Sequence, residues 1–236
     1  MRTAVLSDIH GNQLALEAVL QDLAQQPRID QLIIAGDLCL KGPQPKEVLD
    51  TIRSLACPVI QGNADTDVVT KASNKGLKKQ TMISWTREQI GSDGIDYLAS
   101  LPQSYLVNNP NGTDLLVVHA NPLNQEDAIF PALPDSGLDY LLSGLPPTIG
   151  ALVFGHYHVA YQRRWHHLLL VDVGSCGLPR DGDLRASYAI LTWQDNTWQA
   201  QHRRVSYDVK AVVHQLNTCG IPNLEKRIKV LTEARY

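Results

Sequence analysis

The chain has 236 residues, 44% hydrophobic and 19% charged, with a formal net charge of −3 at neutral pH. That length is ample for a buried core, and the slight acidic balance argues against a general nucleic-acid or membrane-surface binder while leaving room for local basic patches. Cys39, Cys57, Cys176 and Cys219 show no Cys-x-x-Cys spacing, so neither a zinc ribbon nor a disulfide framework is suggested and reduced thiols are expected.

Thr3 to Leu6 is an apolar run that stops at Asp8-Ile9-His10, and it reads as a buried strand delivering a carboxylate and an imidazole at its C-terminal end. Leu14, Leu16, Val19, Leu20 and Leu23 then recur at near-helical spacing as far as Ala24, and Pro27 closes the segment. Gln31 to Ala35 is a second strand, ending in Gly36-Asp37. Pro45 to Leu55 is a helix with Val48, Leu49, Ile52 and Leu55 on one face, and Pro58-Val59-Ile60 is a further strand ending at Gly62-Asn63-Ala64-Asp65. Short strands alternating with helices predict a parallel sheet buried on both faces with right-handed crossovers.

From Asp67 to Leu101 the pattern is helical and more polar. Lys71, Lys75, Lys78 and Lys79 surround Gly76 there; they read as a solvated face, with a phosphate-binding patch as the alternative. Tyr105 to Val107, a turn, and Asp114 to Val118 form a β-hairpin leading to His119, and a loop rich in Pro and Asp follows. Ala151 to Phe154 is a strand ending at Gly155-His156-Tyr157-His158. The remainder is antiparallel in character, with strands over Ala160 to Trp165, Leu168 to Val173, Ser187 to Trp193 and Trp198 to Val205, then helices over Val209 to Leu216 and Asn223 to Thr232. No repeat or linker interrupts the chain, so one domain over residues 1–236 is expected. No run reaches the roughly 18 apolar residues of a membrane helix. Met1-Arg2-Thr3 enters a strand without a signal peptide's basic and apolar regions. The expectation is a cytoplasmic protein with no membrane partner.

Five strand ends thus carry Asp8 with His10, Asp37, Asn63, His119, and His156 with His158. In open α/β sheets such ends are where sites are built. Oxygen and imidazole ligands in this number suit two adjacent divalent cations sharing one carboxylate, for which Asp37 is the candidate. The ordered set Asp-x-His, Gly-Asp, Gly-Asn-x-Asp, His-Ala, Gly-His-x-His, from Asp8 to His158, resembles the calcineurin-like metallophosphoesterases. The later stretch Val173-Gly174-Ser175-Cys176-Gly177-Leu178-Pro179-Arg180, followed by Ala186 to Ile190, is similar to a compact branch of small prokaryotic phosphoesterases.

The resemblance implies an α/β protein, a four-layer α/β/β/α sandwich with two mixed β-sheets. It also implies dinuclear metal-dependent hydrolysis of phosphate esters. Asp8, His10, Asp37 and His158 would hold the first metal, and Asp37, Asn63, His119 and His156 the second. The nucleophile would be a hydroxide bridging the metals, with no side-chain nucleophile. Manganese heads the candidate metals, with iron, zinc, cobalt and nickel as alternatives. The implied partner is a small phosphate ester, possibly a nucleotide.

Ala64 is the departure that matters: many relatives carry histidine there, which assists the leaving oxygen, and alanine does not. General-acid help of that kind is worth about 10² to 10⁴ in rate, so a phosphodiester is favoured slightly over a monoester. Leu38-Cys39-Leu40-Lys41-Gly42-Pro43 and Gly62-Asn63-Ala64-Asp65 also depart from the Asp-Arg-Gly and Gly-Asn-His-Glu patterns of serine/threonine protein phosphatases and symmetrical dinucleoside tetraphosphatases. Asp65 is expected to cap the following helix. Asn12 either hydrogen-bonds substrate or caps the first helix, and Arg180 either clamps a phosphate oxygen or forms a surface salt bridge. Two other classes remain open: a catalytically silent metal-binding scaffold, and a nuclease subunit, which the −3 charge disfavours.

Overall fold

The computed structural model describes residues 1–71 and 76–235. In chain order its elements are β1 (Arg2–Leu6), α1 (Gln13–Ala24), β2 (Gln31–Ile34), α2 (Pro45–Ser54), α3 (Asn63–Thr70), α4 (Leu77–Ser100), β3 (Ser104–Val107), β4 (Asp114–Val118) and α5 (Asp135–Leu141). They continue with β5 (Ile149–Phe154), β6 (Tyr161–Trp165), β7 (Leu168–Asp172), β8 (Ala186–Gln194), β9 (Thr197–Val205), α6 (Val209–Thr218) and α7 (Leu224–Glu233).

The strands form two mixed sheets, ordered β2-β1-β8-β9 and β3-β4-β5-β7-β6. In the first, β1 runs parallel to β2 and antiparallel to β8. In the second, β4, β5 and β7 are parallel and the two edge strands antiparallel. The period of two along each strand decides which layer a side chain joins. Val5, Ile33 and Ala189 of the first sheet meet Val117, Val153 and Val171 of the second in one buried cluster, so the sheets pack face to face. Ala4, Leu6, Ile34 and Ile190 point the other way, into a cluster with Leu16 and Val19 of α1, Ile52 of α2 and Leu216 of α6. On the far side, Leu152, Phe154 and Leu170 pack against Leu138 and Leu141 of α5. The layering is therefore α/β/β/α, as expected.

Three local differences from the sequence reading have physical causes. Pro58-Val59-Ile60 does not lengthen into a strand; it makes a single parallel bridge between Val59 and Ile34, flanked by hydrogen bonds from Ile34 N to the Pro58 carbonyl and from Ile60 N to the Ile34 carbonyl. Pro58 has no N–H to extend the ladder. The loop after His119 contains α5, whose short apolar pattern is obscured by the surrounding prolines. The hydrophilic stretch after Asp67 divides: α3 ends with Lys71 in the left-handed region, and α4 itself bends at Gly91, where φ is 65°. Lys75 of the lysine cluster lies outside the described residues. The β8–β9 turn, Asp195-Asn196, has both residues at positive φ, the geometry that suits a two-residue hairpin.

Candidate metal centre

The C-terminal ends of β1, β2, β4 and β5 open on one edge of the packed sheets, and the chain turns sharply at each. Asp8, His10, Asp37, His156 and His158 all sit in the left-handed backbone region, with φ between 51° and 68°. Asp and His tolerate that region better than bulky residues do. The loops are laced to one another through the backbone: Asp8 N donates to the Gly36 carbonyl, His10 N to the Asp37 carbonyl, and Gly177 N to the Asp8 carbonyl. Gly62 and Gly155 allow the closest approaches, since a Cβ on either would collide with the Asp37 or Asp8 carboxylate.

Asp8, His10, Asp37 and His158 are all buried, and one ligand atom from each falls within 4.8 Å of the others. Three of the imidazoles are fixed by carbonyl oxygens: His10 Nδ1 lies 2.8 Å from the Leu40 carbonyl, His119 Nδ1 2.8 Å from that of Ala35, and His158 Nδ1 2.6 Å from that of Leu178. A carbonyl only accepts, so each Nδ1 carries the proton and each Nε2 presents a lone pair. His156 is turned the other way, its Nε2 donating to the Glu126 carbonyl at 2.9 Å, which leaves Nδ1 as the lone-pair nitrogen.

The lone pairs then face one another. His10 Nε2 is 3.1 Å from His158 Nε2, and Asp8 Oδ1 is 3.0 Å from His158 Nε2 and 3.6 Å from His10 Nε2. Asp8 Oδ1 is fully buried and accepts no hydrogen bond from the described residues. Acceptors held together in a dry pocket repel unless something positive sits among them, and a divalent cation fits that requirement. A second group of acceptors adjoins it: His119 Nε2 lies 3.2 Å from Asn63 Oδ1 and 3.4 Å from Asp37 Oδ1, and the His156 ring stands edge-on to that of His119 at 5.2 Å. Asp37 stands between the groups, its other oxygen Oδ2 3.6 Å from His10 Nε2. All seven residues expected from the sequence to bind metal are thus gathered at one place.

The electrostatics favour the neutral form for three of the four imidazoles. Burial, aided by Lys41, holds His10 well below the usual histidine range, and burial also lowers His158 and His156. Burial would lower His119 too, but Asp37 and Asp8 outweigh it and raise the group.

A cleft of about 680 Å³ opens from the centre, and Asp37, Asn63, His156 and His158 stand at its inner end. Its outer wall is apolar and aromatic, with Phe130, Leu133 and Tyr140 from the segment around α5, and Tyr157 packed edge-on to Phe130 at 4.7 Å. Arg180 lines the cleft, with its backbone N–H tied to the His158 carbonyl. Asn12 is turned to the α1 cap: Oδ1 accepts from Ala15 N and Nδ2 donates to the Gly177 carbonyl. That is the capping alternative, and it uses both ends of the carboxamide.

Sequence reasoning passed over Lys41, whose Nζ lies 3.3 Å from His10 Nε2 and whose pKa burial lowers to about 8. Its placement at φ 92° beside Gly42 is a backbone feature with no signal in residue type. Glu126 was also missed: its carboxylate accepts from Asn63 Nδ2 at 3.3 Å while its carbonyl holds His156. Asp65 does more than cap. It accepts from Gly62 N, as an N-terminal helix box does, and also from the backbone N–H groups of Asp37 and Leu38.

Two mixed sheets packed face to face, with a buried Asp/His cluster at the strand ends, suit metal-dependent hydrolysis. The model of the calcineurin-like phosphoesterase superfamily domain matches residues 1–196, and the chain belongs to that family. It is accordingly a phosphoester hydrolase that uses divalent metal. An uncharacterized protein of Methanocaldococcus jannaschii is 32% identical over 93% of both chains. A metallophosphoesterase of Sphaerobacter thermophilus superposes over 99% of both chains with a TM-score of 0.78 and 27% identity. The symmetrical bis(5'-nucleosyl)-tetraphosphatase of Erwinia tasmaniensis is 29% identical over 54% of this chain and 47% of its own length, so that likeness spans about half of each protein. No helix among the described residues is long and apolar enough to cross a membrane.

Proposed function

We propose that this chain, acting as one domain over residues 1–236, hydrolyses small nucleotide-like phosphate esters at a dinuclear centre, with diesters ahead of monoesters. The observation that carries the reading is the orphaned, buried Asp8 Oδ1 facing two imidazole lone pairs. Asp8, His10, Asp37 and His158 would hold one cation, and Asp37, Asn63, His119 and His156 the other. When bound, such a pair lowers the pKa of a water it shares and neutralises the phosphoryl group. We place manganese first among the metals, with iron, zinc, cobalt and nickel behind it; a donor set that mixes hard oxygens with imidazoles accommodates each of them.

The remaining work falls to the protein. Lys41 and Arg180, at the mouth of the centre, bind and orient the anionic phosphoryl oxygens. Phe130 and Tyr157 offer ring faces on which a nucleobase or aryl leaving group packs. Ala64, in the first turn of α3, is buried and places no acid at the leaving oxygen, which supports the preference for esters whose leaving group departs unassisted. The tetraphosphatase relative supports the nucleotide-like class.

The test is hydrolysis of a chromogenic diester and the matching monoester by chelated protein reconstituted with manganese, zinc or magnesium, beside Asp37→Asn. Metal-dependent turnover that Asp37→Asn abolishes, with the diester faster, is expected. Near-normal activity in Asp37→Asn would remove the bridging role, and a faster monoester would reverse the preference.

A further inference from the structure

We propose that a second, cationic cleft beside the metal centre binds the phosphate chain of a substrate carrying several linked phosphoryl groups. The inference deepens the phosphoesterase reading and rests on it. The cleft measures about 360 Å³ and is lined by Lys41, Lys78, Lys79, Arg180, Lys226 and Arg227, within the size range of small-molecule sites. These side chains come from four separate segments: the loop after β2, the first turn of α4, the loop after β7, and α7. Among the described residues no acidic side chain lines it; Asp67, paired with Lys79, stands at its margin.

In a chain whose net charge is −3, six cations from four segments line one cleft, with Lys79 paired to Asp67 and Lys78 and Lys226 reaching solvent. Like charges gathered over an apolar floor of Leu40, Met82 and Val230 repel more strongly than they would in open water. Arg227 is half-buried, and its Nε is a buried donor with no acceptor among the described residues. Its burial, and then the neighbouring Arg180, oppose its charge. An arrangement of this kind is stabilised by an anion, and guanidinium forks suit phosphate oxygens.

The position of the cleft specifies the kind of anion. Lys41 and Arg180 line both this cleft and the one that opens from the metal centre, so the two cavities share a wall. A lone phosphoryl group at the metals would leave Lys78, Lys226 and Arg227 unengaged. A chain of linked phosphates reaches from the metals, past Lys41 and Arg180, to α4 and α7. The first cleft also carries the aromatic residues Phe130 and Tyr157, which would take a nucleoside joined to such a chain.

The test compares inorganic tripolyphosphate with orthophosphate by calorimetry on manganese-loaded protein, in excess magnesium so that the ligand does not strip the centre. Wild type is set beside Lys78→Gln/Lys226→Gln, whose side chains are both exposed. Tripolyphosphate is expected to bind wild type at least about tenfold more tightly than orthophosphate, an advantage that shrinks as salt rises. The double variant should lose that advantage and keep both its orthophosphate affinity and its turnover of the chromogenic diester. Equal binding of the two anions by wild type, or an advantage that survives in the variant, overturns the proposal. So does tight binding of a single-stranded oligonucleotide with none of tripolyphosphate. Protein that turns over no ester, yet shows the variant-sensitive advantage, upholds the cleft and removes the phosphoesterase reading alone.

Discussion

Asp65 is the most informative position for testing how the centre is held. Its carboxylate is fully buried and accepts from three backbone donors: Asp37 N at 2.8 Å and Gly62 N at 3.0 Å on Oδ2, and Leu38 N at 2.9 Å on Oδ1. It therefore joins the loop that carries Asp37 to the loop that carries Asn63. Asp65→Ala strands all three donors, and at about 1–3 kcal/mol for each buried donor left unsatisfied, partly relieved by entering water, the loss should be about 3–5 kcal/mol. Asp65→Asn keeps one oxygen; placed where Oδ2 was, it serves Asp37 and Gly62 and leaves only Leu38 facing an amide, for a loss of about 1–2 kcal/mol. Burial and the charge of Asp37 push Asp65 up to about 7, so urea unfolding of chelated protein should be run at pH 8.5, with the carboxylate ionised. Manganese titration of the same variants should show affinity falling in the same order, because Asp37 moves with its backbone. Asp65→Ala within about 1 kcal/mol of wild type, less than the cost of a single stranded donor, would refute the reasoning, as would an Asn variant no better than Ala.

Chelation should lower the melting temperature and manganese should restore it, since a ligand at a hundred times its Kd adds about 2.7 kcal/mol to the folded state; scanning calorimetry with and without chelator reads this directly. Ala64→His is expected to cost about 1–3 kcal/mol by overpacking, because Ala64 is 1% exposed and its neighbours are core side chains. It should also shift preference toward esters with poorer leaving groups, because Ala64 N donates to Asp37 Oδ1 and the position adjoins the centre; an unchanged dependence of rate on leaving-group pKa would count against the role given to this position. Asp172 is buried, its Oδ2 without a partner, and burial raises its pKa well above the carboxylate range. The native state therefore keeps a proton that the unfolded chain releases near about pH 4, and stability falls by up to about 1.4 kcal/mol per pH unit above that point until the native group also ionises. Asp172→Asn should remove this slope and gain on wild type between pH 5 and pH 8 in unfolding experiments; an equal difference at both pH values would sink the assignment.

The parts of the fold that rest on periodicity were legible in the sequence. Val5 against Ala4 and Leu6 already separates the inter-sheet face from the helix-covered one, and the metal-binding residue types appear in chain order at strand ends because a parallel sheet brings those ends together. What periodicity does not encode was hidden. Pro58 to Ile60 is apolar enough for a strand, but a missing N–H decides against one. Lys41 reaches His10 through an unusual φ, and Glu126 reaches His156 through its carbonyl, a contact that side-chain identity does not advertise. The cationic cleft is the extreme case: Lys41, Lys78, Arg180 and Lys226 are separated by roughly forty to a hundred residues at each step, and only the packing of α4 and α7 beside the loop after β7 makes them neighbours.

The left-handed backbone at Asp8, His10, Asp37, His156 and His158 bears on what the cations do for this protein. Each such non-glycine residue costs of order 1–3 kcal/mol and persists only where the surroundings over-determine it. Here the surroundings are backbone: Asp8 N on Gly36, His10 N on Asp37, Gly177 N on Asp8, and His156 N on the Asp8 carboxylate at 2.8 Å. Each imidazole is in turn held by a carbonyl from a different loop. The acceptors are therefore forced together by protein contacts, and a cation entering the site relieves repulsion without having to build the geometry. Binding energy that would otherwise order loops remains available as affinity. Stripping the metals should accordingly cost stability while leaving the ligand loops in register, so that the chelated protein rebinds manganese without refolding.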